Sequence, residues 1–332
     1  MAAEERQVGD LPEECLAHVI ALTSPRDACR CAAVSRAFRA AADSDHVWHS
    51  FIPEDHRAVL LQALPPETNT TRKKDAYLGL CHRGVPVDGG GLVWLDKASG
   101  DAYLGLCDGG VPVDGDDGGC RMWLDKASGA KCYALSARRL SLPWDDGEFS
   151  WKWTRNTLSR FAEVADLVDC TCLDIYGRLP AAALTPATAY AAYLVYGTAE
   201  GHRGLSYPDQ ETAVAVGGRV LERHRVCLRP DDAETHKFRG AGLIAESSSG
   251  AIDGREEPKR PRRRGDGWWE IDMGRLNTTG AGGELEEEEV VASFEVLGWY
   301  PKRGLIVEGI EFRPGIVLAH IDNSISTIIP EA

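Results

Sequence analysis

Trp144, Trp151 and Trp153 fall within ten residues of one another, and Asp145, Asp146 and Glu148 lie between them. An indole face stacks on the apolar C–H face of a pyranose, while carboxylates accept hydrogen bonds from its hydroxyls. These residue types therefore suit carbohydrate binding. The competing reading is that the tryptophans fill the core of a β-structure. Trp151 and Trp153 share a strand face, so Trp153 reads as core as readily as ligand contact. Trp144 has an acidic, turn-like setting, Pro143-Trp144-Asp145-Asp146, which argues against burial. Paired carboxylates also hydrolyse glycosides, and the residues alone leave that open. No GxSxG, P-loop or HExxH phrase occurs. His46 and His49 read as partner contacts or solvent-exposed side chains rather than metal ligands. Cys29/Cys31 and Cys170/Cys172 have one residue between partners, and no CxxC pair exists. Neither a metal nor a cofactor is expected.

The elements that must position these residues are bounded by composition. A chain of 332 residues, 43% hydrophobic and 27% charged, suits two packed domains. A formal charge of −14 argues against a general nucleic-acid partner. No apolar run reaches the roughly 18 residues of a membrane helix, and MAAEERQVGD lacks the plan of a secretory signal. The nucleus and cytoplasm are the expected compartments, with the ten cysteines reduced. On the same ground the sequons at Asn69 and Asn277 are expected to be unused.

Residues 11–53 read as three short helices. Leu11-Pro12-Glu13-Glu14 opens the first, with Leu16, Val19 and Ile20 at helical spacing. Ser24-Pro25-Arg26-Asp27 starts a second that carries Cys31, Val34 and Phe38, and a third ends in Val47-Trp48. So small a unit buries little apolar surface, which suits docking rather than catalysis. A linker over 54–74 follows. DAYLGLC, GVPVDG and WLDKASG then occur in order in 75–100 and again in 101–129. Two copies are too few for a solenoid, and 75–100 reads as a duplicated insertion.

From Cys132 the texture is β-rich. Ala189–Tyr196 is an apolar run of buried-strand length, and Cys170–Tyr176, Trp268–Met273, Val290–Leu297 and Gly304–Phe312 are further strand candidates. Arg155–Val168 has Leu158, Phe161, Val164, Ala165 and Val168 at helical spacing, which predicts one packed helix. Lys259–Arg264 (KRPRRR) suits a solvated loop, a nuclear-localisation phrase or a phosphate patch. The acidic run Glu284–Glu289 reads as a solvated loop that could pair with it. The expected class is α+β: a three-helix N-terminal unit, then a mainly antiparallel, jelly-roll-like β-sandwich with one packed helix.

LPEECL (11–16), VSRAF (34–38) and DHVW (45–48) together resemble an F-box over residues 8–53. WLDKASGAKCYALSARRLSL (123–142), WDDGEFSWKW (144–153), LDIYGRL (173–179), TAYAAYLVY (188–196), RPRRRGDGWWEIDMG (260–274) and GLIVEGIEFRP (304–314) resemble the phloem protein 2, or Nictaba-like, lectins of plants. That match gives a lectin domain over 101–314. The family carries one copy of the segment written twice here, and its members usually stop near Phe312-Arg313-Pro314. Residues 315–332 are therefore an atypical tail.

The resemblance implies two functions. The F-box implies a Skp-family adaptor and, through it, a cullin–RING ubiquitin ligase, with Leu11, Pro12, Leu16, Ile20, Val34 and Trp48 as the apolar anchors. The alternative is that these six only form the unit's own core. The lectin implies a glycan or glycoprotein client bearing N-acetylglucosamine, with Trp144, Trp151, Glu288 and Glu295 at the family's sugar-binding positions. A glycosidase acting through Asp145/Asp146 or Glu288/Glu295 loses ground against it, so the protein is expected to be non-catalytic. The rival readings are a stress-type lectin with a vestigial F-box, and a scaffold that recognises protein through buried tryptophans.

Overall fold

The computed structural model describes residues 11–54, 72–81, 85–86, 119–143, 150–207, 209–230, 257–278 and 288–315. Among them no helix is long and apolar enough to cross a membrane, and the cysteines are free thiols.

The chain opens with α1 (Glu13–Ala21), α2 (Pro25–Cys31), α3 (Arg36–Ala42) and α4 (Asp45–Ser50). Four helices replace the three expected. The reason is Ser35, whose backbone is extended and whose hydroxyl accepts the Phe38 N–H at 3.2 Å. A serine placed so caps a new helix, and this ends α2 before Val34. Ser24 caps α2 in the same way, taking the Asp27 N–H at 3.1 Å. Leu16, Ile20, Ala41, Val47 and Trp48 meet at the centre, where the Trp48 indole donates to the Ala42 carbonyl at 2.7 Å.

Small helices alone bury little, and here they lean on the next part of the chain. Helix α5 (Lys73–Leu80) follows, then the short strand β1 (Val85–Pro86). Asp45 accepts the Lys73 backbone N–H at 2.7 Å, and Asp43 pairs with Lys74 at 2.6 Å. Tyr77, fully buried, sets its ring 5.3 Å from Trp48 and donates its hydroxyl to the Asp125 carbonyl at 3.4 Å. Asp125 starts the turn joining β2 (Cys120–Leu124) to β3 (Lys131–Ser136), and the Arg26 N–H reaches the Ala127 carbonyl of that turn at 3.3 Å. DAYLGL at 75–80 supplies helix from the first copy, and MWLDKASG at 122–129 supplies the hairpin from the second. The rest of the duplication, 87–118, lies outside the described residues.

Ten further strands build two antiparallel sheets: β4 (Trp151–Thr154), β5 (Val164–Leu167), β6 (Leu173–Pro180), β7 (Ala189–Arg203), β8 (Gln210–Val216), β9 (Arg219–Val226), β10 (Arg262–Arg263), β11 (Trp269–Asn277), β12 (Glu289–Val296) and β13 (Arg303–Pro314). The larger sheet runs β1-β2-β3-β13-β7-β11-β10, with β5 also on β13 and β4 outside β5. The smaller runs β6-β12-β8-β9. All five strand candidates in the sequence are found, most of them longer than their apolar runs. The core lies between the sheets, where Ile175, Val214 and Phe294 face Leu194, Ile271 and Ile310. At Gly177 the sheets come so close that a Cβ would lie 2.9 Å from the Ile310 side chain.

The helix expected over 155–168 is not formed; this segment is loop followed by β5. Asn156 accepts the Leu158 N–H at 2.9 Å and Ser159 accepts that of Phe161 at 3.0 Å, local bonds that compete with helix. The carboxylate of Glu308 takes the Arg160 N–H at 3.0 Å and fixes the loop. Val164, Ala165 and Leu167 are buried by strand pairing instead of by a helical stripe.

Candidate functional site

Alternation along β12 sends Val290, Ala292, Phe294 and Val296 inward and Val291, Ser293 and Glu295 outward. Register then decides which outward side chains share a row. Glu295 lies between Asp174 of β6 and Glu211 of β8, and Ser293 lies between Tyr176 and Ala213. Arg223 of β9 is opposite Ala213 and pairs with Glu211 at 2.9 Å. The row of three carboxylates is paid for by cross-strand repulsion. Ser293 and Ala213, both small, form the floor beside it.

The Tyr176 hydroxyl donates to Glu295 at 3.3 Å. Burial, then the charges of Glu295 and Asp174, push this phenol's pKa up, so it remains a donor. The backbone of Tyr176 exchanges two hydrogen bonds with Ser141, at 2.9 and 3.0 Å. Two residues on, the Pro143 carbonyl accepts the Trp151 indole N–H at 2.9 Å. A continuous edge thus joins Trp151, Pro143, Tyr176 and Glu295.

The four expected sugar contacts are treated unequally. Trp151 is 3% exposed and packs in the core; its one polar atom holds the Pro143 carbonyl. Trp144 itself lies outside the described residues, as do Asp145, Asp146 and Glu148. Trp153 is half-buried, with the Arg138 guanidinium 3.6 Å from its ring centroid. Glu295 faces outward at the row of acids. Glu288 is not brought to it: it precedes β12, seven positions before Glu295 and roughly 23 Å away along extended chain, and its carboxylate lies against the β8–β9 turn at Gly217. Tyr176, Asp174 and Glu211 were missed. The available signal was the in-out alternation of LDIYGRL, which makes Asp174 and Tyr176 outward neighbours.

The outer face of the larger sheet is also charged, but paired throughout. Glu270 accepts from Arg262 at 3.0 Å and from Arg313 at 2.8 Å. Glu308 takes Arg160 at 2.9 Å, and Glu311 takes Arg264 at 2.8 Å, Arg313 at 3.3 Å and Arg160 as well. The three arginines hold the Glu311 carboxyl well below the usual carboxylate range despite full burial. Within Lys259–Arg264, expected as a solvated loop, Arg260, Arg262 and Arg263 are exposed, whereas Arg264 is drawn into this network. The Arg264 side chain is only 10% exposed, Arg262 sits on Glu270 and Lys259 on Asp272 at 3.3 Å. Among the described residues the partners of this phrase include Asp266, Glu270, Asp272 and Glu311; most of the run expected to pair with it, 284–287, lies outside the described residues.

The six expected anchors in the helices also divide. Leu16, Ile20 and Trp48 are core. Leu11, Pro12 and Val34 are exposed, Val34 at 69%. Val19 and Leu22, the latter 76% exposed, add to this apolar surface. An excess of apolar residues on α1, beyond the stripe a core face needs, was the sequence signal. Among the described residues no cluster of three His, Cys, Asp or Glu side chains could hold a metal.

Residues 130–314 match the family described as phloem protein 2, and residues 8–53 match F-box-like. Relatives in Arabidopsis thaliana include F-box protein PP2-B10, 31% identical over 95% of this chain and 97% of that protein. F-box protein VBF is 31% identical over 92% of this chain and 98% of its own length. A family 35 carbohydrate-binding module from Clostridium thermocellum overlaps 55% of this chain and 98% of its own, at 11% identity and a TM-score of 0.28. So slight a likeness carries no argument about ligand.

Proposed function

The chain belongs to the phloem protein 2 family, as an F-box lectin, and from that premise we propose that it is the client-recognition subunit of an SCF-type cullin–RING ubiquitin ligase. The observation that supports this reading is the division of labour in the N-terminal helices. Leu16, Ile20 and Trp48 already satisfy the core, so Leu11, Pro12, Val19, Leu22 and Val34 are surplus to folding and free for a helical adaptor of the Skp family. The protein does no chemistry of its own. It holds a client near the charged conjugating enzyme, a contribution of proximity. Nucleus and cytoplasm are its proposed compartments.

The client is recognised through N-acetylglucosamine-containing or N-glycan structures at the outer face of the smaller sheet. Glu295, with Asp174 and Glu211, supplies acceptors for sugar hydroxyls, and Tyr176 supplies a fixed phenol. Trp144, the next residue in sequence after Pro143, is proposed as the stacking face. Trp151 acts by holding the Pro143 carbonyl rather than by touching sugar. Glu288, just before β12, has no part in this site.

Two experiments test the two halves. The full-length protein should co-purify with a Skp-family adaptor, and Val34→Asp with Leu22→Asp should abolish that without unfolding, since both positions are exposed. No association by the intact protein would sink the ligase reading. On a glycan array, wild type should bind N-acetylglucosamine-bearing glycans and Glu295→Gln should lose at least tenfold in affinity. A folded wild type that binds no glycan leaves a protein-binding scaffold as the better account.

A further inference from the structure

The N-terminal helices and the lectin sandwich meet at the turn that joins β2 to β3, and Gly129 marks the meeting. Its φ of +77° is left-handed backbone that favours glycine. A Cβ there would lie 3.4 Å from the Pro25 side chain, 3.4 Å from the Tyr77 hydroxyl and 3.7 Å from the Phe51 carbonyl. Residues of α2, of α5 and of the chain leaving α4 thus converge on a single turn. The Arg26 N–H adds a main-chain bond to the Ala127 carbonyl at 3.3 Å.

Both sides of this contact are firmly held. The Asp125 carboxylate accepts the Ser128 N–H at 2.8 Å and the Ser128 hydroxyl at 2.6 Å. The Asp125 carbonyl accepts the Gly129 N–H, and its own N–H reaches the Ala130 carbonyl, both at 2.8 Å. Beyond the turn, β3 is rooted in the sandwich. The Tyr190 hydroxyl of β7 donates to the Lys131 carbonyl at 2.8 Å, Thr185 accepts the Lys131 N–H at 2.9 Å, and β13 pairs along β3. On the helical side Tyr77 is the wedge. It is fully buried, with its ring 5.3 Å from that of Trp48 and 6.2 Å from that of Phe51, and its hydroxyl reaches the Asp125 carbonyl. Trp48 shares its core with Leu16 and Ile20 of α1, and that core continues into β2, β3 and the sandwich.

Contacts between domains of one chain are usually polar enough to let the domains move. Here the contact is an aromatic wedge inside a continuous apolar core. Opening it would strip Tyr77 and Trp48 of cover together, and helices of six to nine residues bury too little to stand without them. Free energy gained by binding at one half is then shared by the other.

We infer that the F-box and the lectin sandwich unfold as one cooperative unit, coupled through Tyr77 and the Asp125–Gly129 turn, so that docking of a Skp-family adaptor on the helices stabilises the distant lectin half. The inference rests on the adaptor-docking reading above and gives it a consequence: outside the ligase complex the client-binding half is in its less stable form.

The test is thermal unfolding of the full-length protein, alone and with a Skp-family adaptor, followed by hydrogen exchange and mass spectrometry on peptides of α1 and of β7. Alone, both peptides should lose protection in a single transition. Adaptor at roughly a hundredfold excess over its dissociation constant should raise the midpoint by about 5 °C in both. Tyr77→Ala, examined with adaptor bound, should split the transition and confine the adaptor's effect to α1, whereas Tyr77→Phe, which keeps the ring, should retain most of the coupling. A wild type that unfolds in two steps, or whose β7 midpoint ignores a bound adaptor, overturns the coupling and leaves the ligase reading standing. So does a Tyr77→Ala protein that unfolds as wild type does. An intact protein that binds no adaptor removes the ligase reading and this inference with it.

Discussion

The outer faces of the two sheets carry comparable numbers of charges and use them in opposite ways. On the larger sheet, Glu270, Glu308 and Glu311 are each enclosed by arginines. On the smaller sheet, Asp174, Glu295 and Glu211 lie side by side, and only the β9 end of the row meets arginines, Arg225 opposite Glu211 in register and Arg223 paired with it. The first arrangement neutralises itself: each of these three carboxylates has an arginine partner, and a ligand would have to displace one to enter. The second keeps acceptors pointing at solvent at some cost to the fold. The difference teaches where to look for binding. A charged face that is internally neutralised is architecture, whereas one left with like charges adjacent is available to a partner.

The largest test of this contrast is Glu311→Ala. It leaves Arg160, Arg264 and Arg313 crowded without their shared anion, and urea denaturation should record a loss of about 3–5 kcal/mol. An unchanged midpoint would break the comparison at its stronger side. Acid titration follows from the same group. Glu311 is held below its ordinary pKa in the folded state, so its contribution is full above about pH 5. It begins to fade once pH drops under roughly 4.3 and keeps falling toward the folded-state pKa. Thermal unfolding of wild type should show this decline, and Glu311→Ala should show less of it.

Smaller effects belong to the other face. Tyr176→Phe removes one hydrogen bond to Glu295 and should cost about 0.5–1 kcal/mol, read by thermal denaturation. Glu295→Gln should move stability the other way, up by a few tenths of a kcal/mol, because it relieves two cross-strand like-charge contacts. That gain, set against lost glycan affinity, would sharpen the distinction between a face built for folding and one built for binding. A loss of stability in Glu295→Gln would blur it.

Much of this molecule could be read along the chain. Leu16 and Ile20 are four apart and share the buried stripe of α1, and Ala189–Tyr196 is apolar throughout because β7 is covered on both faces. The segment 155–168 misled because Leu158, Phe161 and Val164 are spaced as in a helix. What overrode that spacing was a distant carboxylate, Glu308, bonded to the Arg160 backbone. KRPRRR misled in the same way. Its charge was visible, but Glu270 and Glu311, which neutralise it, lie on strands that composition alone does not bring near.

The site shows the same boundary. Tryptophans near acids suggested a sugar contact, yet the indole of Trp151 turned inward to Pro143, and Glu288, just before β12, and Glu295, near its end, went to different places. Sequence by itself determined residue type, local periodicity and the two family matches, since these depend on neighbours within a few positions. Only the tertiary structure decided which apolar residues of α1 were surplus, and which of the acids formed a row. It also decided that Tyr77 would lie between the helices and the β2–β3 turn. The first depends on packing of α1 against α3 and α4, and the other two on strand register and packing between segments far apart in the chain, pairings that are set by the whole fold at once.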